Sequence, residues 1–174
     1  MRNIKVIFLP ADKELTERLC HKYKKISDRY LTLAIFFRTI AAIALSAMFA
    51  FIAGAAVKNS LYYIAVAGIS LMSAIALFLI SVIFQMINDD YFTNALRYQF
   101  MSERMQEISE YENSLTFSVS RTCPNAVICH FPDGKYRCIK TVNNIPADGD
   151  VIITVKEDTD SKGRISLNWY AKIV

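Results

Sequence analysis

From Thr39 to Val57 the chain runs 19 residues without a charge, and from Leu61 to Ile87 it runs 27. Leu31–Phe37 extends the first stretch beyond Arg38, and only Lys58-Asn59-Ser60 separates the two. At about 1.5 Å per residue, about 20 apolar residues cross a hydrocarbon core of roughly 30 Å, so both stretches qualify as transmembrane helices. The second is long enough to tilt or to protrude at one end. Three residues allow only a turn, so the expectation is an antiparallel hairpin with both flanking regions on one side. Lys58 is the one formal charge between Thr39 and Ile87, and the other 35 charged residues lie in the remaining 125 positions. A purely soluble domain, whose apolar residues recur with helical or strand periodicity, is excluded by that concentration. A disordered chain and a secreted disulfide scaffold are excluded with it.

The Lys/Arg balance gives the orientation. Lys13, Arg18, Lys22, Lys24, Lys25, Arg29 and Arg38 precede the first span, against Lys58 alone in the turn. Cations favour the cytoplasmic side, which predicts a multi-pass protein of the cell inner membrane with both termini cytoplasmic. Ile4–Leu9 is too short for a signal-peptide core and is followed by a charged helix. Arg38 is read as reaching to the headgroups.

Outside the spans, at about 31–57 and 61–87, the composition sorts the chain into three further parts. Residues 1–30 hold a short strand ended by Pro10 and a basic amphipathic helix over 12–30. Asp12 is its expected cap, and Leu15, Leu19, Tyr23, Ile26 and Tyr30 stand at helical spacing. Residues 88–113 read as a juxtamembrane helix continuing the second span, with an acidic far end. Segment 1–30 carries a net charge of +4 and segment 88–113 one of −4, so the two helices are expected to pair. From Leu115 the period changes to two. Strands over 115–120, 126–131, 135–142, 151–156 and 164–174 are punctuated by Pro132-Asp133-Gly134 and by the polar loop 158–163. The last strand alternates most regularly, with Ile165, Leu167, Trp169, Ala171 and Ile173 on its inner side. The fold class is therefore an α+β membrane protein, with a small cytoplasmic antiparallel β barrel or sandwich of SH3-like or OB-like kind over 114–174. The strand near residues 3–9 is a sixth member that would tie the N-terminus to this domain.

Cys20, Cys123, Cys129 and Cys138 would face a reducing compartment as free thiols. Cys123, Cys129, His130 and Cys138 do not have zinc-site spacing, and Cys129 and Cys138 fall on apolar strand faces, so core cysteines are expected and no metal. No nucleophile motif surrounds His21 or His130, and there is no phosphate loop. The acids Asp133, Asp148, Asp150, Glu157, Asp158 and Asp160 sit at turns. The chain reads as no enzyme and needs no cofactor.

Two membrane patterns and one surface pattern remain. Ala42, Ser46, Ala50 and Gly54 follow one another at four-residue steps, the small-residue spacing of close helix packing. Ser70, Ser73, Ser81, Gln85 and Asn88 fall within about 120° around the second span, with Leu77 among them. They read either as the hairpin's own packing face or as a pore face with Leu77 as constriction, which would need three or more subunits. On the β domain, Lys135, Arg137, Arg164, Tyr170 and Lys172 are candidates to hold a nucleotide or short oligonucleotide by phosphate contact and stacking, or they form an ordinary solvated face.

In the order of its parts (basic helix, hairpin, juxtamembrane helix, small β domain) the chain resembles the small two-span effectors of bacterial anti-phage defence systems linked to nucleotidyltransferases. No residue motif carries this likeness, so no functional residues transfer. It implies a homo-oligomeric, ion-channel-like or membrane-disrupting effector gated by a nucleotide or short oligonucleotide at the β domain, which depolarises the membrane and arrests the host cell. The alternative is a membrane-anchored adaptor that holds a cytoplasmic protein partner at the inner membrane. A third reading is an immunity or regulatory subunit that blocks another membrane protein.

Overall fold

The computed structural model describes residues 3–58, 60–111, 114–159 and 165–174. Strand β1 (Ile4–Ile7) is followed by helices α1 (Pro10–Lys58) and α2 (Leu61–Glu110). Strands β2 (Thr116–Val119), β3 (Ala126–His130), β4 (Tyr136–Lys140), β5 (Val151–Thr159) and β6 (Ile165–Ile173) complete an α+β chain. Two compact units emerge, one of Met1–Arg18 with Tyr98–Val174, the other of Leu19–Arg97.

Each helix is unbroken where the sequence reading has a flanking helix and a span. Between Pro10 and Gly54 there is no proline or glycine, and Gly68 is the only breaker within α2. Nothing therefore interrupts the hydrogen-bond ladder. At the start of α1, Pro10 occupies the first helical position, where its missing N–H costs nothing. Asp12 is not the cap residue expected. It stands two positions inside, where its Oδ2 accepts the Leu9 N–H at 2.7 Å, the carboxylate half of a capping box.

In the unit Leu19–Arg97 the helices pack antiparallel on a seven-residue repeat. Ser27, Ala34, Ala41 and Met48 are buried on α1, and Ala67, Ala74, Ser81, Asn88 and Ala95 on α2. Small side chains at these places bring the backbones close. An aromatic ladder alternates between the helices beside them: Tyr23 to Tyr91 (5.9 Å), Tyr91 to Tyr30 (5.7 Å), Tyr30 to Phe84 (5.9 Å) and Phe84 to Phe37 (5.5 Å). Such ring pairs contribute about 0.5–1.5 kcal/mol each beyond the area they bury. At the turn, Phe51 meets Tyr63 and Lys58 Nζ lies 5.5 Å over the Tyr63 ring.

In the other unit the strands form two three-stranded sheets, β1-β5-β6 and β2-β3-β4. The second is antiparallel throughout. The first is mixed, because β1 runs parallel to β5 while β5 and β6 form a long antiparallel hairpin. Within 114–174 the named strands pair antiparallel as expected, and β1 adds in parallel on β5 because of edge occupancy. Val142 N–H donates to Trp169 O at 2.9 Å, and the Asn143 amide both donates to Ala171 O (2.7 Å) and accepts Ala171 N–H (2.9 Å). The outer edge of β6 is thus taken, and β1 is left that of β5. Asn3 opens that ladder, donating its N–H to Asp150 Oδ1 and accepting Val151 N–H.

Ile153, Leu167, Val127, Val151, Ile139 and Cys129 fill the core of this unit, with Phe8 edge-on to Trp169 at 6.3 Å. On β6, Leu167, Trp169 and Ala171 are buried as expected, but Ile165 and Ile173 at the strand ends are exposed. Cys138 is exposed as well, a correction to its core assignment. On β4 the inward side chain is Ile139, and period-two alternation sends its neighbour Cys138 outward. Gly134 adopts φ 80° in the expected turn between β3 and β4, a conformation that glycine reaches without strain.

Candidate functional site

The first candidate region is the helix seam. Ser27 Oγ donates to Asn88 Oδ1 at 2.6 Å in a buried contact. Asn88 Nδ2 and Gln85 Nε2 then donate to Asp89 Oδ1 at 3.3 and 3.1 Å. A polar layer therefore closes the apolar seam at one end. Stepping by sevens from this bond, the register sets Ala34 opposite Ser81, Ala41 opposite Ala74 and Met48 opposite Ala67.

The six residues read along the polar side of α2 separate accordingly. Ser81 and Asn88 are buried in the seam, Ser70, Leu77 and Gln85 are half-buried at its flank, and Ser73 faces outward. Ser81 is fully buried and its Oγ has no hydrogen-bond partner. The four-residue stripe on α1 separates too. Ala42, Ser46 and Ala50 are exposed, while Gly54 packs under Tyr63, where an added Cβ would sit 3.2 Å from the ring. Each four-residue step turns about 40° around a helix, so such a stripe spirals from the outer face into the seam. The seven-residue set from Ser27 to Met48 stays on it. That spacing was available in the sequence and identifies the contact face that the four-residue stripe does not.

The second region is the β-domain surface. Lys135 Nζ pairs with Asp133 Oδ2 at 2.8 Å across the β3–β4 turn, and this bond holds the Asp133 carboxyl below the usual carboxylate range and raises the Lys135 ammonium. Arg137 Nε reaches Glu107 Oε1 on α2 at 3.4 Å, and Glu107 also pairs with Arg104. Tyr111 meets Phe131 edge-on at 5.6 Å nearby. Arg137 is thus a tie between β4 and the end of α2.

Tyr170 and Lys172 lie on β6, in the other sheet. Tyr170 Oη donates to Asp158 Oδ2 at 2.7 Å, Asn168 Nδ2 donates to the same oxygen at 2.6 Å, and Lys156 Nζ stands 5.3 Å over the Tyr170 ring. The Tyr170 and Asn168 bonds hold the Asp158 carboxyl below its ordinary range, and the same carboxylate raises the Tyr170 hydroxyl above its own. Lys172 is exposed, and Arg164 lies outside the described residues. The four described candidates are therefore divided between two sheets, and three of them already have partners in the chain. Asp158, read from local pattern as a loop residue, lies in β5, and Glu107 and Asn168 have no local signature of a site role. Their roles depend on cross-strand and strand-to-helix neighbours that no local pattern reports.

Cys129 is buried, and burial pushes its thiol up to about 12, which leaves it without thiolate at neutral pH. His130 Nε2 is 2.8 Å from Ser118 Oγ. Among the described residues, no three His, Cys, Asp or Glu side chains converge as a metal set. By length and composition both α1 and α2 can cross a membrane, with mean hydropathy of 2.3 and 2.5 in their most apolar segments and little of those segments buried. No family model, curated protein or solved structure matches the chain.

Proposed function

We propose that the chain is a two-span inner-membrane protein with both termini in the cytoplasm, and that it acts as an anchored adaptor presenting its β domain to a protein partner. The observation carrying this reading is the apolar exterior of the two stretches. Ile43, Phe49, Ile69 and Met72 are among the large side chains left outside, while Ser81 turns into the seam and the Ser27–Asn88 bond closes it just beyond the stretches. An apolar exterior around satisfied backbone suits a lipid-embedded anchor. Tyrosines mark both ends of the hairpin, Tyr23, Tyr30 and Tyr91 at one and Tyr62 and Tyr63 at the other. The 28 residue steps from Tyr30 to Lys58 rise about 42 Å, matching the roughly 40–45 Å of a bilayer with its headgroups.

A second reading has its own support. Ala42, Ser46 and Ala50 face outward on α1, a small-residue surface on which hairpins could associate. In that reading the chain forms a homo-oligomeric, ion-channel-like effector of three or more subunits, gated by a nucleotide or short oligonucleotide at the β domain. Ser73, the outward member of the α2 polar set, would then face its neighbours.

The mass of the nanodisc-embedded complex, measured with conductance in planar bilayers, separates the two. A monomer or dimer without current supports the adaptor. A closed ring of three or more subunits that carries current replaces it with the channel.

A further inference from the structure

Three cations of α1 just ahead of its apolar stretch share one exposed surface and lack ion-pair partners among the described residues. Arg18 is paired with Glu14, Arg104 and Arg137 with Glu107, and Lys135 with Asp133. Lys24, Lys25 and Arg29, by contrast, make no ion pair among the described residues. Their side chains are exposed, and with His21, Asp28 and Thr32 they line an open depression of about 420 Å³ on one side of the helix. His21, Lys25, Arg29 and Thr32 follow at steps of four, four and three, and Lys24 and Asp28 flank them, so these groups converge on one surface. Asp28 is the single acid there. On α2, Asp89 already accepts from Gln85 and Asn88.

The position of the depression along the helix names the ligand. Arg29 precedes Leu31, where the extended apolar stretch begins, and Tyr30 between them belongs to the stacked aromatic ladder. Three unpaired cations at that level meet the phosphates of a bilayer surface. Resting on the two-span reading above, we propose that Lys24, Lys25 and Arg29 form a binding surface for the phosphodiester headgroup of an anionic phospholipid, with Arg29 presenting a fork of donors and the lysines as point charges. Because juxtamembrane cations each contribute about 1 kcal/mol to anionic lipid binding, each is worth about a fivefold preference. The lipid would hold the hairpin at a set depth on the cytoplasmic side.

The test uses the full chain in nanodiscs of equal parts phosphatidylcholine and phosphatidylglycerol. Native mass spectrometry reads which lipid stays bound on release, and alkaline carbonate extraction of the same protein from vesicles reads insertion. The expected result is retention of phosphatidylglycerol over phosphatidylcholine by at least about fivefold. In the triple variant Lys24→Gln, Lys25→Gln, Arg29→Gln the retained lipid falls to the bilayer ratio, while the protein still resists extraction. Equal retention by the inserted wild-type chain overturns the lipid surface alone, as does unchanged preference in the variant. Release of the bound lipid by excess inorganic phosphate, but not by excess chloride of equal ionic strength, would assign the cations to a soluble phosphate ligand and also overturn it. Extraction of the wild-type chain by carbonate overturns the two-span reading itself, and the lipid surface with it.

Discussion

Ser27 on α1 donates a 2.6 Å hydrogen bond to the side-chain carbonyl of Asn88 on α2, and this buried contact sets the register of the helical hairpin. Removing either partner strands the other in an apolar seam. The Ser27→Ala and Asn88→Ala variants are expected to show a coupling of about 1 kcal/mol in a double-mutant cycle on unfolding in detergent. The same register predicts that Ala34→Cys with Ser81→Cys cross-links on oxidation, whereas Ala42→Cys with Ser81→Cys does not. Efficient cross-linking of the second pair would place the hairpin in another register.

Ser81 behaves differently, because its hydroxyl is buried without a partner. Replacing it by alanine removes an unsatisfied group, so Ser81→Ala is expected to be neutral or to stabilise the hairpin by up to about 1 kcal/mol. Ser81→Leu overfills the space opposite Ala34 and should cost about 1–3 kcal/mol. Thermal unfolding of both variants checks this pair of signs.

Glu107 joins Arg104 on its own helix to Arg137 on β4. All three side chains are partly exposed, so Glu107→Gln is expected to cost less than about 1 kcal/mol globally. The local effect is larger: amide exchange over Tyr136–Lys140 should accelerate while exchange over the β5–β6 hairpin stays the same. Equal acceleration in both sheets would show that Glu107 supports the unit generally and not β4.

The Asp158–Tyr170 bond makes stability depend on pH at two ends. Asp158 has a lowered folded pKa, so its contribution is present above the ordinary carboxylate value of about 3.9 and is lost as pH falls through the folded value. Tyr170 has a raised folded pKa, so its contribution is complete below about 10 and is lost as pH rises through the folded value. Asp158→Asn should flatten the acid limb of the stability profile. It should also bring the Tyr170 ring resonance, followed by NMR, to an ordinary tyrosine titration midpoint.

The cysteines should separate by reactivity. Cys138 is exposed, whereas Cys129 is buried with its thiol raised to about 12. A maleimide at pH 8 is expected to label Cys138 in the native protein and Cys129 only after denaturation. Fast native labelling of Cys129 would mean that β3 opens readily.

By itself the sequence determined the elements and their order. Charge-free runs of 19 and 27 residues, with three residues between them, point to two long helices joined by a turn, because no proline interrupts either run and each holds a single glycine. Period-two alternation and the Pro132-Asp133-Gly134 turn located the C-terminal strands, because both depend on neighbours a few residues apart. The tertiary structure decided what those elements do to each other. It turned Ser81 and Asn88 into the seam while leaving Ser73 outside, sent Cys138 to the surface, and gave Arg137 and Tyr170 the partners Glu107 and Asp158. It also ran β1 parallel to β5, since the outer edge of β6 was already taken by Val142 and Asn143. A periodicity shows that a residue has a face. Which surface meets that face depends on register and on edge occupancy, and both are set by residues distant in the chain.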